Sequence, residues 1–188
     1  VAATGTGKTV ISAFDYKNFR NKNTSSKLLF VAHRKEILQQ AMATFRGVLK
    51  ENNFGDLWVD GIEPNSNEYL FVSVQTLNNR LKNLKLSPNY FDFIILDEAH
   101  HGAASSYRTF LNYFQPKVLL GLTATPERMD NENILEDFCN RIAAEIRLSE
   151  ALNKKLLSPF QYFGITDSID LTSVKWEKGK YVASELTN

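Results

Sequence analysis

The chain has 188 residues, of which 43% are hydrophobic, and a formal net charge of +1. This length allows one domain with a full core, and the composition is typical of a globular α/β protein. The balanced charge neither indicates nor excludes a nucleic-acid partner, because a local basic edge would not change the total. The single cysteine, Cys139, cannot form an internal disulfide, which favours a reducing, cytoplasmic compartment. No run of residues approaches the roughly 18 apolar residues that a membrane span requires.

The first motif is a glycine-rich loop close to the start of the chain. It consists of Thr4, Gly5, Thr6, Gly7, Lys8 and Thr9. Glycine allows backbone N–H groups to turn toward a phosphate, and a helix that follows points its N-terminus at the same anion. In such a loop the lysine reaches the β- and γ-phosphates, and the hydroxyl after it binds Mg²⁺. The loop predicts a nucleoside-triphosphate site, although Ala2 stands at the first glycine position of the strict pattern.

Apolar periodicity predicts that strands and helices alternate along the chain. The predicted strands are 27–32, 57–59, 69–74, 91–96, 117–122, 146–148 and 160–166, and the predicted helices are 10–19, 37–49, 77–86, 107–114 and 149–157. In the first helix, Ile11, Phe14 and Phe19 are expected to point inward. Strand-length apolar runs between helices are typical of parallel strands buried on both faces. The prediction is an α/β fold with a mostly parallel central sheet flanked by helices.

An acidic pair, Asp97 and Glu98, follows the apolar run 91–96. An aspartate at a strand end is a hard oxygen donor suited to Mg²⁺, and a glutamate beside it can orient an attacking water. Such a pair alone is also typical of charges at a helix N-terminus. Together with Lys8 in a phosphate loop, it favours a nucleotide and magnesium site.

Polar residues also follow three other predicted strands. Arg34 follows 27–32, Gln75 and Thr76 follow 69–74, and Thr123 and Thr125 follow 117–122. Ligands bind at the carboxyl ends of strands in open α/β sheets. The alternatives are a solvated first turn at Arg34, a helix cap at Thr76 and an ordinary turn at the threonines.

Five motifs in order resemble motifs I, Ia, Ic, II and III of superfamily 2 helicases and translocases. They are T-G-T-G-K-T at 4–9, V-A-H-R at 31–34, S-V-Q-T-L at 73–77, D-E-A-H at 97–100 and L-T-A-T-P at 122–126. The resemblance is closest to restriction-enzyme motor subunits and related DEAH-box DNA helicases. The stretch 156–163 is also similar to a large multidomain bacterial helicase-like family.

This resemblance implies a RecA-like first motor domain that uses ATP and Mg²⁺. It implies that Lys8 and Thr9 bind phosphate and Mg²⁺, and that Asp97 and Glu98 serve Mg²⁺ and the attacking water. His100 would couple the nucleotide state to a second motor domain, together with Thr123 and Thr125.

The resemblance further implies a nucleic-acid partner, with DNA favoured over RNA. Arg34, Gln75 and Thr76 would lie along its backbone. Such contacts go mostly to phosphates, so binding should depend on salt and be largely independent of sequence.

The chain departs from the superfamily pattern at both ends. No adenine-reading segment precedes the phosphate loop, and nothing after residue 126 resembles the arginine-bearing motif of a second motor domain. We expect a piece of a longer protein: a first motor domain at 1–148 with a truncated first strand, and a connecting segment at 149–188. Since an arginine from the second domain is worth roughly 10³–10⁵ in rate, this fragment should turn over nucleotide poorly. The alternatives are a nucleotide-gated binding module without motor activity and an RNA helicase.

Overall fold

The computed structural model of the protein describes residues 1–98, 104–125, 138–161, 163, 176–177 and 180–181. Its contacts divide the chain into two units, Val1–Ser158 and Pro159–Asn188. In the second unit, β6 (Trp176–Glu177) pairs antiparallel with β7 (Lys180–Tyr181). Among the described residues, no helix has the length and apolar character needed to cross a membrane.

The first unit contains a five-stranded sheet with helices on both faces. The strands are β1 (Leu28–Ala32), β2 (Asp56–Trp58), β3 (Tyr69–Ser73), β4 (Phe93–Asp97) and β5 (Val118–Leu122). The described helices are α1 (Lys8–Lys22), α2 (Lys35–Leu49), α3 (Val74–Arg80), α4 (Ala104–Leu111) and α5 (Leu148–Asn153), and a 3₁₀ turn, Leu81–Asn83, follows α3. The sheet has the order β2-β3-β1-β4-β5, and every pair is parallel. The predicted fold class is confirmed.

Burial on both faces explains why the strands read as continuous apolar runs. Every residue of β1 and β4 is buried. Along β1, Leu29 and Val31 join a core with Phe110, on the face that α4 covers, while Leu28 and Phe30 join a second core on the opposite face. Helices α1 and α2 cover that second core through residues such as Tyr16, Leu38 and Phe45. This alternation follows from the two-residue period of a strand.

The register of the sheet brings the carboxyl ends of four strands to one edge. Ala32 of β1 pairs with Ser73 of β3, and Val31 pairs with Leu96 of β4. Asp97, the last residue of β4, pairs with Leu122 of β5. The polar residues that follow these strands therefore start from a common edge, which is the condition for a shared site.

The first three residues of the chain lie at this edge, beside the end of β5. The Ala2 amide donates to the Thr123 carbonyl at 2.9 Å. On the other side, Ala2 forms a parallel bridge with Ile146. The predicted strand at 146–148 is reduced to this single bridging residue, and α5 begins at Leu148.

Helix α1 does not bury the residues that periodicity predicts. Ile11 is 55% exposed and Phe14 is 51% exposed, so the prediction that they point inward is wrong. The buried residues of α1 are Ser12, Ala13 and Tyr16. Phe19 is partly buried against the core, as predicted. The helix is rotated so that the face with Ser12, Ala13 and Tyr16 packs toward the sheet.

Two further predicted elements differ from the structure. The helix predicted at 77–86 begins earlier, at Val74, because the Ser73 hydroxyl caps it by accepting a hydrogen bond from the Thr76 amide. It ends at Arg80 and continues as the 3₁₀ turn. The strand predicted at 160–166 is absent at residues 160, 161 and 163, which are the part of that stretch the structure describes.

Candidate nucleotide site and the adjoining sheet edge

The glycine-rich loop forms a tight turn at the start of α1. Gly5 and Gly7 have positive φ angles of 86° and 82°, a conformation that costs glycine little. The Thr6 amide and hydroxyl both donate to the Ala3 carbonyl, at 3.3 and 2.6 Å. Gly7 has no side chain to cap α1, so the first N–H groups of this 15-residue helix are left for an external acceptor. This arrangement is suited to an anion.

Lys8 bends back across the loop. Its Nζ donates to the Ala2 carbonyl at 3.1 Å, and its side chain is half-buried. A carbonyl is a neutral acceptor, and an ammonium group bonds more strongly to an anionic oxygen. A phosphate in the loop would therefore compete well for Lys8. Thr9 lies on the first turn of α1 and is also half-buried.

Asp97 occupies the end of β4 with only 7% of its surface exposed. Burial raises the pKa of its carboxyl group, and the charge of Glu98 raises it further. A hydrogen bond from the Glu98 backbone and the charge of Lys8 act in the opposite direction on that pKa. The fold therefore brings the charge of Lys8 close enough to act on Asp97, although the two residues are far apart in the sequence.

Glu98 adopts a left-handed backbone conformation with φ of 51°. This conformation is unfavourable for a residue with a side chain, and such strain is concentrated at functional sites. The Glu98 side chain is half-buried. Glu98 thus forms a turn directly after the buried Asp97.

Tyr107 on α4 is a site residue that the sequence reasoning missed. Its hydroxyl donates to the Asp97 carbonyl at 3.1 Å, and its ring meets the His33 ring edge-on at 5.7 Å. Burial raises the pKa of the Tyr107 phenol, and the charges of Asp97 and Glu98 raise it further. The neutral phenol fixes the backbone from which the acidic pair projects. Tyr107 is predicted to lie in a helix, but nothing in the sequence indicates that it contacts Asp97.

The two threonines after β5 form a local turn. The Thr123 hydroxyl donates to the Thr125 carbonyl at 2.9 Å, and the Thr125 amide lies 3.1 Å from the Thr123 oxygen. The Thr123 hydroxyl thus takes part in a local turn, while the Thr123 carbonyl bonds the Ala2 amide next to the phosphate loop. His100, the third predicted coupling residue, lies outside the described residues.

The residues predicted to contact nucleic acid lie on the neighbouring strand ends. Arg34 is exposed at the position before α2, and Gln75 is exposed at the start of α3. Thr76 is buried, and its hydroxyl oxygen lies 2.8 Å from that of Ser73. Gln75 and Thr76 line an open cleft of about 480 Å³, together with Lys35. Arg34 is not among the residues lining it.

A parallel sheet with a glycine-rich loop and an acidic pair at its carboxyl edge is the arrangement of a P-loop domain. The family model described as the res subunit of type III restriction enzymes matches residues 1–128, and the chain belongs to this family. The resemblance to superfamily 2 motor domains is thereby confirmed. Assignment to the DEAH-box subgroup stays a prediction.

Two relatives align with most of this chain. The putative ATP-dependent helicase IRC3 of Saccharomyces cerevisiae is 31% identical over 190 residues, covering 92% of this chain and 26% of that protein. The endonuclease subunit of the type I restriction enzyme EcoAI of Escherichia coli is 29% identical over 196 residues, covering 96% of this chain and 23% of that protein. The chain thus spans about a quarter of the length of these relatives.

Two solved structures share the fold. A nuclease-deletion mutant of the type ISP restriction-modification enzyme LlaGI, in complex with a DNA substrate mimic, superposes with a TM-score of 0.61 at 20% identity, covering 83% of this chain and 18% of that chain. The Hef helicase domain of Pyrococcus furiosus superposes with a TM-score of 0.59 at 21% identity, covering 74% and 33%.

Proposed function

We propose that this chain is the ATP-binding motor domain of an ATP-dependent DNA helicase or translocase. The observation that carries the proposal is the buried Asp97 at the end of β4, at the carboxyl edge of a parallel sheet, where the charge of Lys8 from the glycine-rich loop acts on it. The family match and the relatives named as an ATP-dependent helicase and a restriction-enzyme subunit support it. ATP hydrolysis would then drive movement along nucleic acid.

The donor set of the site fits a nucleotide with Mg²⁺. Lys8 and the loop N–H groups would bind the phosphates, and Thr4 to Gly7 would shape the loop around them. Thr9 supplies a hydroxyl and Asp97 a carboxylate, the hard oxygen ligands that Mg²⁺ prefers. A divalent cation there would also offset the burial that raises the pKa of Asp97. Bound Mg²⁺ would neutralise charge on the phosphates.

Glu98 is the proposed base that orients the attacking water. Its side chain is half-buried next to Asp97, and Tyr107 holds the backbone between them through the Asp97 carbonyl. General-base contributions of this kind are typically about 10²–10⁴-fold. Tyr107 would act as a positioning residue because it contacts the backbone and not the phosphates.

A second motor domain of the same parent protein is the proposed partner. Residues 1–148 would form the first motor domain, and 149–188 would connect it to the second. Thr123 would transmit the nucleotide state, since its carbonyl bonds Ala2 beside the phosphate loop. Thr125 and His100 would act with it. In the absence of the second domain the fragment would hydrolyse ATP slowly.

The proposed nucleic-acid contacts lie along the adjoining strand ends. Arg34 would bind a phosphate, and Gln75 would donate to the backbone from the cleft. Thr76 has its hydroxyl engaged with Ser73, so it would act mainly through its place in the turn. A cytoplasmic, DNA-bound enzyme is the form we propose.

Two substitutions in the intact protein test the nucleotide site. Lys8→Ala should reduce nucleic-acid-stimulated ATPase about 10²–10³-fold by removing a charge on the transferred phosphate. Glu98→Gln should reduce it about 10²–10⁴-fold while ATP binding is retained. The matched controls are Lys22→Ala, at the exposed far end of α1, and the exposed Glu68→Gln. Unchanged turnover in either site variant would refute its assigned role, and nucleotide binding without any turnover would favour the binding-module alternative.

Nucleic-acid affinity measured at several salt concentrations tests the proposed contacts at the carboxyl edge of the sheet. Arg34→Gln should weaken binding similarly across sequences and lower the salt slope by about 1. Lys50→Gln, at the other end of α2, should leave the slope unchanged because it lies away from this edge. An equal response of the two variants would contradict the placement of Arg34. Competition between DNA and RNA for ATPase stimulation would separate a DNA from an RNA motor.

A further inference from the structure

Residues 144–157 pass along the side of the phosphate loop. The Ala3 amide donates to the Ile146 carbonyl at 3.0 Å, and the Ile146 amide donates to the Val1 carbonyl at 2.9 Å. These bonds attach this segment to the residues immediately before the loop. Backbone pairing therefore joins the segment to the nucleotide site. None of the sequence motifs lies in this segment.

Helix α5 then turns the chain back toward the loop. Its central residue Ala151 is fully buried, which anchors the helix to the first unit. The helix ends at Asn153, Lys155 follows in a left-handed conformation with φ 56°, and the Leu156 amide donates to the Ala151 carbonyl at 2.9 Å. This bonding closes the helix and fixes the direction of the next residue. That residue is Leu157.

Leu157 packs on the first glycine of the loop. Its Cδ2 lies 3.1 Å from the position that a Cβ atom at Gly5 would occupy. The adjacent Leu156 is 52% exposed, whereas Leu157 is half-buried. Any side chain at Gly5 would meet this methyl group, in addition to the strain of its positive φ. The contact places an apolar side chain against a glycine of the phosphate loop.

We infer that Leu157 is a positioning residue for the phosphate loop and that it links loop occupancy to the segment 156–158. The inference rests on the proposed nucleotide-binding function of the loop. Glycine loses more conformational freedom than other residues when it is ordered, so a contact that orders Gly5 in advance lowers the entropic cost of binding phosphate. Linkage requires the reverse effect: a nucleotide that orders the loop also stabilises the Leu157 contact.

The test compares Leu157→Ala with Leu156→Ala in the intact protein. Leu157→Ala should raise the Kd for ADP and the KM for ATP about 5- to 10-fold, with kcat retained at saturating ATP. Leu156→Ala should match the wild type, and Leu157→Met should restore most of the affinity. Partial unfolding would instead lower kcat and leave KM unchanged. Equal Kd values for the two alanine variants and the wild type would overturn the inference.

Hydrogen exchange of the wild-type protein provides a readout that needs no variant. Amides at 156–158 should gain protection when ADP binds, and exposed amides at the far end of α2 should not. Unchanged exchange at 156–158, with ADP binding verified, would overturn the link. Failure of ADP to bind at all, or equal binding by Lys8→Ala, would overturn the proposed nucleotide site instead. The two failures are thus distinguishable.

Discussion

Helices α1 and α2 have the same length, 15 residues, and cover the same face of the sheet, yet only one follows its apolar pattern. In α2 the apolar stripe of the sequence faces the core: Leu38, Ala41 and Phe45 are buried. In α1 the large residues Ile11 and Phe14 are more than half exposed, and small or hydroxylated residues face inward. The burial of apolar area therefore determines which face of α2 packs on the sheet. A different requirement determines which face of α1 packs there.

That requirement lies at the first turn of α1. The half-buried or buried residues Thr9, Ser12, Ala13 and Tyr16 recur at spacings of three or four, so they occupy one helical face. This face begins with the hydroxyl proposed to bind Mg²⁺ and ends with Tyr16, whose hydroxyl donates to the Ser26 carbonyl at 2.9 Å. The buried face of α1 is therefore fixed partly by a polar contact at Tyr16 and not by apolar area alone.

The largest effect should come from the core residue of α2. Phe45→Ala should destabilise the fold by about 3–5 kcal/mol, because Phe45 is fully buried and its ring lies 5.5–6.1 Å from those of Tyr16, Phe30 and Phe71. Urea unfolding measures this loss. A cost below about 1 kcal/mol, the range expected of exposed positions, would show that α2 is not held by its stripe.

A smaller effect should follow from removing the polar anchor of α1. Tyr16→Phe should cost about 1–2 kcal/mol, since it leaves the Ser26 carbonyl without its buried donor. Burial raises the pKa of the Tyr16 phenol from 10.0 to about 12. Between these values the unfolded chain loses its proton first, so wild-type stability falls as pH rises from 10 to 12. Urea unfolding across this range should show a weaker decline in Tyr16→Phe, and a parallel decline would contradict the assignment.

Replacing the acid that faces the start of α1 should stabilise the protein. Asp97→Asn removes a buried charge, and we expect a gain on the order of 1 kcal/mol, or about 2–4 °C in Tm, with loss of ATPase. The gain should shrink as pH falls through the raised pKa of Asp97 and disappear below 3.8, where the carboxyl is protonated in both the folded and the unfolded state. Asp60→Asn, at an exposed position, is the thermal-unfolding control. A lower Tm for Asp97→Asn would show that favourable interactions of the Asp97 carboxylate outweigh the cost of burying its charge.

The smallest effect should occur on the exposed side of α1. Phe14→Gln should change the free energy of unfolding by no more than about 0.5 kcal/mol, since the side chain is already half in water. The difference between the unfolding free energies of Phe14→Gln and Phe45→Ala, measured in the same urea titration, shows how differently the two helices depend on their apolar residues. A large loss would mean that Phe14 is packed after all.

The sheet and the positions of Asp97 and Glu98 could be predicted from the sequence because both depend on continuous apolar runs. Strands buried on both faces are continuous apolar runs, and β1, β3, β4 and β5 each coincide with such a run. Asp97 and Glu98 follow one of these runs directly, so their place at the sheet edge follows from the strand. The roles of all the site residues stay predictions, those of Lys8, Asp97 and Glu98 as well as those of Arg34 and Gln75.

Other features had no local signal because they depend on residues distant in the chain. Tyr107 reaches the Asp97 carbonyl only because α4 packs beside the end of β4. Leu157 reaches Gly5 only because Ile146 pairs with the first residues of the chain. Neither pairing has a period or a spacing that a sequence pattern could show.

By itself, the sequence determined the strands of the five-stranded sheet, the glycine-rich loop and the acidic pair, since each depends on residue types within a few positions. The tertiary structure alone decided which face of α1 is buried, which tyrosine supports Asp97 and which leucine contacts Gly5. A helix with apolar residues on several sides has more than one face that it could bury. The contacts available at the sheet, and the polar groups that must be satisfied there, select among those faces.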